Sequence, residues 1–108
     1  MELHQKPCQP CRNGAQPLSA EIAGKMMRQV PEWKINRESN RISRKFEFDE
    51  FRPAMEFVNK VAHLAEDEGH HPDFFIHYNR VELILWTHKV GGLHENDFIL
   101  AAKIDRIS

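Results

Sequence analysis

The sequence predicts an α+β domain in which three helices pack on one face of a four-stranded antiparallel sheet, in the order α-β-β-α-β-β-α. Three observations lead to this fold. Residues 51–68 carry apolar side chains at three- and four-residue steps, as an amphipathic helix does. Alternating stretches at 33–48 and 74–88 flank it, and shorter helical patterns stand near both ends. The 108 residues are enough for one domain with one core.

The first 17 residues are predicted to form a flexible N-terminal arm, and residues 18–108 to form the domain. The arm contains three prolines and little periodicity. It carries Cys8 and Cys11 in a C-x-x-C spacing, which supplies only half of the ligands of a structural zinc site. Two exposed thiols on a loose arm are the simplest interpretation, with a zinc or redox role as the alternative.

The first helix and the first hairpin follow the arm. Ser19 is predicted to cap a short helix that Pro31 ends. The inward side of this helix is predicted to contain Ile22, Met26, Met27 and Val30. A strand over residues 33–35 and a polar turn lead to an alternating strand from Arg41, whose apolar face is interrupted at Arg44.

The second half of the chain repeats this arrangement. The helix over residues 51–68 ends before Gly69, which suits the left-handed residue past a helix end. Strands are predicted over 74–78 and 81–88, and the last helix begins at about Glu95. Alternation in the second strand places on one face Val81, Leu83, Leu85 and Thr87, and on the other Glu82, Ile84, Trp86 and His88. Antiparallel pairing of these strands with the first hairpin gives the four-stranded sheet.

Composition narrows the classes of partner. The formal net charge of −1 gives little attraction to nucleic acids or anionic lipids. No apolar run is long enough for a membrane span, and the N-terminus lacks the apolar stretch of a signal peptide, so a cytoplasmic location is expected. Ile84 and Trp86 fall on the second sheet face, where another subunit could cover them.

Histidines provide the strongest chemical signal. His70 and His71 stand side by side directly after the long helix, and Pro72 restricts the backbone that follows. His88 ends the strand that returns toward the same edge of the sheet. Imidazole titrates near neutral pH and can both give and take a proton, so these three rings are candidates for general acid–base catalysis.

Two carboxylates accompany the histidines. Glu66 lies one helical turn before His70, and Asp97 lies in the first turn of the last helix. Structural roles are an alternative for every member of the set: the histidines could satisfy backbone carbonyls, Glu66 could face solvent, and Asp97 could cap its helix. A metal site formed by the three histidines and a carboxylate is a second alternative, although adjacent histidines on one loop seldom bind one ion.

The stretch AEDEGHHPDFFIHYNRVELILWTHKVGGLHENDFILAAKID resembles the pterin-4a-carbinolamine dehydratases, also called 4a-hydroxytetrahydrobiopterin dehydratases. The shared pattern is E-x-x-x-H-H-P, then an aromatic residue, Y-N-x-V, T-H and G-L-x-x-x-D. The likeness covers roughly residues 18 to 107. Phe74 stands where the family usually has tryptophan, and His94 stands where a serine or threonine cap is common.

The resemblance implies a dimer or tetramer with the fold described above. It implies dehydration of 4a-hydroxytetrahydropterin to quinonoid dihydropterin without a metal or other cofactor, which recycles the pterin used by aromatic amino acid hydroxylases. The catalytic residues it implies are His70, His71 and His88. Among them, we expect His70 and His88 to transfer protons and His71 chiefly to bind and orient the pterin. The substrate-binding or orienting residues it implies are Glu66, Pro72, Phe74 and Asp97. Some relatives also act as protein-binding cofactors, so a protein partner is a further expectation.

Overall fold

The computed structural model describes residues 2–10 and 14–108. Its helices are α1 (Ala20–Met26), α2 (Phe51–Glu68) and α3 (Glu95–Ile107), and its strands are β1 (Lys34–Ile35), β2 (Ile42–Glu47), β3 (Asp73–His77) and β4 (Arg80–Leu85). Single 3-10 turns occur at Leu3–Gln5 and Met27–Gln29. The predicted α+β class and the order α-β-β-α-β-β-α are confirmed.

The four strands form one antiparallel sheet in the order β1-β2-β4-β3. In the register of this sheet, Val81 of β4 lies opposite Phe46 of β2 on one side and Ile76 of β3 on the other. Side chains directly opposite one another share a face. The inner face therefore carries the apolar residues that the alternation predicted, and the helices cover it. The buried members of this face are Ile42, Phe46, Val81, Leu83 and Leu85.

Arg44 interrupts the apolar side of β2 because it has a specific partner on α3. Its Nη1 donates to Asp105 Oδ1 at 2.6 Å, and its guanidinium lies 4.4 Å from the ring centre of Phe46. The indole N–H of Trp33 donates to the same Asp105 oxygen at 2.8 Å. A charged side chain inside the sheet is therefore paired, which offsets the cost of removing it from water.

The end of α2 determines where the adjacent histidines begin. The helix buries its apolar stripe, and Gly69 then adopts the left-handed conformation with φ of 66°. The N–H of His70 donates to the carbonyl of Ala65 at 3.1 Å, which closes the helix end. The chain reverses at this point, so His70 and His71 leave the helix at the edge of the sheet.

Three local predictions differ from the structure. Ala23, not Ile22, is buried on α1, and Ile22 is exposed. The hairpin turn comes one residue earlier than predicted, because Tyr78 adopts a positive φ of 57°. Strand β4 ends at Leu85, and the chain then narrows to a single bridge between Thr87 and Gly92, so His88 lies in a turn.

The N-terminal segment contacts the domain in its described part. Leu3 is buried in the core, and its 3-10 turn packs against α3. Farther along, the N–H of Leu18 donates to the carbonyl of Leu93 at 2.8 Å. Among the helices of residues 2–10 and 14–108, none has the length and apolar character needed to cross a membrane.

Candidate active site

One cleft brings the three predicted histidines together. Its volume is about 430 Å³, and it lies between the end of α2, the turn after β4 and the start of α3. The residues that line it are Gln9, Pro10, Gly69, His70, His71, Pro72, Asp73, Trp86, Thr87, His88, Lys89 and Asn96. A larger concavity of about 730 Å³ lies along β2, β4 and β3, but its lining includes none of these three histidines. The chemistry predicted from the sequence therefore points to the smaller cleft.

His70 is held on the buried side of the cleft by Asp97. Its Nε2–H donates to Asp97 Oδ1 at 2.6 Å, and the Asp97 side chain has no solvent exposure. The second carboxylate oxygen accepts from the Thr87 hydroxyl at 2.8 Å and from the His94 backbone N–H at 2.9 Å. With both oxygens engaged, Asp97 holds the His70 ring in one position.

Asp97 also has the capping role that the sequence suggested as an alternative. It occupies the third position of α3 and accepts from the N–H of the cap residue His94, while His94 Nδ1 accepts from the N–H of Asn96 at 3.0 Å. The two interpretations of Asp97 are therefore compatible. His94 replaces the usual hydroxyl cap with a ring nitrogen.

His71 occupies the solvent side of the same cleft. Its Nε2–H donates to Glu66 Oε2 at 2.5 Å, and both side chains are largely exposed. The sequence placed Glu66 near His70, whereas the structure pairs it with the neighbouring ring. Each adjacent histidine thus has its own carboxylate, one buried and one in contact with water.

His88 packs against Trp86, a residue that the sequence analysis assigned to the outer sheet face and not to the site. The two rings stack with centroids 3.8 Å apart and planes inclined by 22°. The guanidinium of Arg41 lies 3.6 Å from the Trp86 ring centre, and the indole N–H donates to Asp73 Oδ2 at 3.3 Å. The period of two had already placed Trp86 and His88 on one face, which was the available signal for this contact.

Of the two further residues predicted for the site, Pro72 lines the cleft and Phe74 does not. Pro72 is buried and lines the cleft. Phe74 does not line it, because it lies opposite Leu83 in the sheet register and packs against the inner core. That Phe74 contacts the substrate stays a prediction, and Trp86 is the large aromatic side chain that lines the cleft.

The N-terminal segment forms another wall of the cleft through Gln9 and Pro10. Beside this wall, burial and, to a smaller extent, the nearby Glu68 carboxylate together raise the pKa of Cys8 to about 12. The thiol of Cys8 is therefore protonated at neutral pH, which makes it a weak nucleophile. Cys11, the other half of the C-x-x-C pair, lies outside the described residues. Residues 2–10 and 14–108 contain no group of three or more histidine, cysteine or acidic side chains arranged to hold a metal ion.

The fold and this cleft define a small α+β protein with a histidine-rich site, and comparisons with known proteins agree. The sequence model of the family described as Pterin 4 alpha carbinolamine dehydratase matches residues 16–107. The chain therefore belongs to the pterin-4-alpha-carbinolamine dehydratase family.

Individual relatives extend the likeness to nearly the full chain. A protein of Halorhodospira halophila named "Putative pterin-4-alpha-carbinolamine dehydratase" is 47% identical over 107 residues, covering 99% of this chain and 98% of its own. A protein of the same name from Methylococcus capsulatus is 44% identical, with 98% and 93% covered. The crystal structure of a transcriptional coactivator/pterin dehydratase from Brucella melitensis superimposes with a TM-score of 0.80 at 33% identity, over 85% of this chain and 98% of that one.

Proposed function

We propose that the chain dehydrates 4a-hydroxytetrahydrobiopterin, or a related 4a-hydroxytetrahydropterin, to quinonoid dihydropterin and water. The observation that supports this most is the grouping of His70, His71 and His88 around one cleft in a chain of the dehydratase family. In this role the protein recycles the pterin cofactor of aromatic amino acid hydroxylases.

The reaction requires one proton to be given and one to be taken. An imidazolium donates a proton to the hydroxyl on C4a, the C4a–O bond breaks, and the oxygen leaves as water with the bonding electron pair. The lone pair of N5 forms the C4a–N5 double bond, and a neutral imidazole accepts the N–H proton released from the ring. Histidine suits both steps because its two protonation states are both accessible near neutral pH.

We assign the proton transfers to His70 and His88 and the orientation of the pterin to His71. Asp97 supports this assignment for His70: since Nε2–H donates to the carboxylate, Nδ1 is the nitrogen that exchanges a proton. His88 stacks on Trp86, which limits the swing of its ring. His71 and Glu66 lie on the exposed side, where an incoming pterin meets them first.

Stopped-flow absorbance of freshly generated 4a-hydroxytetrahydropterin tests this function. The purified chain should accelerate dehydration above the spontaneous rate, and His88→Ala should lower the catalysed rate by about 100-fold or more. His63→Ala and His77→Ala, which change histidines outside the cleft, are the matched controls and should retain the wild-type rate. Treatment with a chelator should leave the rate unchanged. A wild-type chain that does not exceed the spontaneous rate would refute the proposal.

We also propose that the chain associates with copies of itself through the edge of β3. This strand has no neighbour on its outer side within the described sheet, and its end carries exposed apolar side chains. These are Phe75, Ile76 and Tyr78, which are 56%, 42% and 61% exposed. Ile84 and Trp86, the residues first considered for this role, are half-buried. Light scattering should give a dimer or tetramer that Phe75→Glu shifts toward monomer, and a monomeric wild type would contradict the proposal.

A second candidate function is binding to another protein. The name of the Brucella melitensis structure pairs a coactivator with a dehydratase, which favours testing the same exposed apolar surface here. Affinity capture with wild type and Phe75→Glu as baits, both assayed for dehydration, separates the two roles. A partner lost only with the variant, while dehydration persists, supports the role, and the absence of any partner besides the chain itself counts against it.

A further inference from the structure

The N-terminal segment over residues 8–10, here called the strap, crosses the start of α3 and reaches the cleft. We propose that the strap is a substrate-binding wall of the pterin site and that Asn96 is the residue that positions it. The inference rests on the proposed dehydratase function and adds to it a segment that precedes the matched family region of residues 16–107.

Asn96 holds the strap with both ends of its side-chain amide. The N–H of Gln9 donates to Asn96 Oδ1 at 2.9 Å, and Asn96 Nδ2–H donates to the carbonyl of Gln9 at 2.6 Å. The pair resembles a β-bridge in which a side chain replaces one strand, and it fixes both peptide groups of Gln9. Asn96 is 4% exposed, so its side-chain amide is a buried polar group that obtains both of these hydrogen bonds from the strap.

Further contacts fix the strap, and the residues just before it, on the N-terminal side of this pair. The N–H of Cys8 donates to Glu68 Oε1 at 2.8 Å, and the Cys8 thiol lies 3.7 Å from the Asn96 carbonyl. Lys6 Nζ donates to Glu95 Oε2 at 3.1 Å. The strap is therefore attached to the end of α2 and the start of α3, the two elements that carry His70 and its partner Asp97.

The position of Asn96 connects the strap to the catalytic geometry. Asn96 and Asp97 are consecutive in the first turn of α3: Asp97 holds His70 and Asn96 holds Gln9. One helix turn thus positions two different walls of the same cleft. Gln9 and Pro10 line the cleft and are exposed, so they are accessible to a bound molecule.

The chemistry of these two residues fits a flat, polar heterocycle. The Gln9 carboxamide can both donate and accept, as the amide-like edge of a pterin ring requires, and the Pro10 ring offers an apolar surface for a ring face. Neither side chain can exchange a proton in this reaction. The strap is therefore assigned to binding and orientation, and its loss should affect KM more than kcat.

Steady-state kinetics of Asn96→Ala test the inference. KM for the 4a-hydroxytetrahydropterin should rise about tenfold, which corresponds to one or two lost rim contacts, while kcat stays within about twofold of wild type. Asn96→Asp keeps the acceptor for the Gln9 N–H but loses the donor to the Gln9 carbonyl. Its KM should lie between those of wild type and Asn96→Ala. Gln9→Ala, which leaves the backbone pair intact, should raise KM by a smaller factor.

Lys6→Met is the matched control, because Lys6 lies just before the strap and its contact with Glu95 lies away from the cleft. Its partly exposed ion pair contributes little, so KM should stay at the wild-type value. NMR hydrogen exchange of the Gln9 amide gives a readout independent of activity, and exchange should be faster in Asn96→Ala than in wild type or Lys6→Met.

Two results would overturn the inference separately from the function. A released strap, seen as faster exchange at Gln9 in Asn96→Ala, with an unchanged KM would show that the cleft does not use this wall. If Asn96→Ala instead lowers kcat about tenfold at constant KM, the role of Asn96 is to maintain the His70–Asp97 geometry. A wild-type chain with no activity above the spontaneous rate would remove the proposed function, and the strap's role in pterin binding with it.

Discussion

His70 and His71 are neighbours in sequence but occupy opposite environments. The His70 side chain is 12% exposed and pairs with a fully buried Asp97, whereas the side chains of His71 and Glu66 are 59% and 76% exposed. A histidine–carboxylate pair at nearly the same distance is therefore a buried contact on one side of the cleft and a solvent-exposed contact on the other.

This difference explains why two adjacent histidines are useful in one site. Removing one partner of a buried ion or hydrogen-bonded pair leaves the other without compensation, while an exposed pair is screened by water and contributes little to stability. The buried ring can therefore hold a fixed proton-transfer geometry, and the exposed ring can adjust to an entering ligand. Substitutions on the two sides should differ in kind as well as in size.

The largest effect is expected for Asp97→Ala. The substitution removes the partners of His70 Nε2, the Thr87 hydroxyl and the His94 N–H at once. The free energy of unfolding should fall by about 3 to 5 kcal/mol, and the catalysed rate should fall with it. Urea denaturation at neutral pH measures the first quantity. A decrease of less than about 1 kcal/mol in the free energy of unfolding would show that the His70–Asp97 pair is not a rigid buried contact.

The next largest effect is a difference in kinetics between His70→Ala and His71→Ala. Loss of His70, the proposed proton-transferring ring, should lower kcat by about 100-fold or more, whereas loss of His71, the proposed orienting ring, should chiefly raise KM. Initial rates over a range of pterin concentrations separate these effects, with circular dichroism to verify that both variants are folded. If His71→Ala lowers kcat at constant KM, the two roles must be exchanged.

A smaller effect is expected on the pH dependence of stability, and it comes from Glu68. This largely buried side chain accepts a hydrogen bond from the Cys8 N–H of the strap. Burial acts to raise its pKa, but the hydrogen bond from the Cys8 N–H and the charge of Lys103 together hold the pKa below its usual value of 4.5. The unfolded state therefore takes up the proton first as pH falls. The stabilisation is fully present above pH 4.5 and is lost as pH falls below it.

Glu68→Gln measures this contribution, because the amide keeps the shape of the side chain without its charge. Compared with wild type, the variant should unfold more easily at pH 7, and the difference should shrink as pH falls below 4.5. Urea denaturation at several pH values gives the difference directly. A difference that stays constant down to pH 3 would show that the Glu68 charge is not its cause.

The smallest effect on stability is expected for Glu66→Gln. Both members of its pair are exposed, so the free energy of unfolding should change by less than about 0.5 kcal/mol. The effect on KM should be larger than the effect on the free energy of unfolding, because the substitution alters only the orientation of His71. A stability loss as large as that of Asp97→Ala would remove the contrast between the two sides of the cleft.

Regular periodicity made most of the fold predictable. Residues 51–68 were predicted as a helix and form one, and Gly69 takes the left-handed conformation expected of it. The inward residues of β4 were also predicted correctly, because the alternation of a half-buried strand is a local property. Arg44 could only be noted as an exception, since its partner Asp105 is 61 residues away in sequence.

The candidate site was predictable in its histidines but not in the partners of these histidines. His70, His71 and His88 were found from their residue type and spacing, and the structure groups them in one cleft. The pairing of Glu66 with His71, the stacking of Trp86 on His88 and the contact of Asn96 with Gln9 were missed. Such contacts depend on side-chain directions and on segments that meet only after folding, which residue spacing does not specify.

The central claim is that His70, His71 and His88 surround one bound pterin. It can be tested by NMR of the imidazole nitrogens in histidine-labelled wild-type protein during titration with 7,8-dihydrobiopterin, which cannot be dehydrated. The signals of these three histidines should shift together along a single binding curve, while those of His63 and His77 stay in place. Shifts confined to His63 or His77, or three unrelated curves, would contradict the claim.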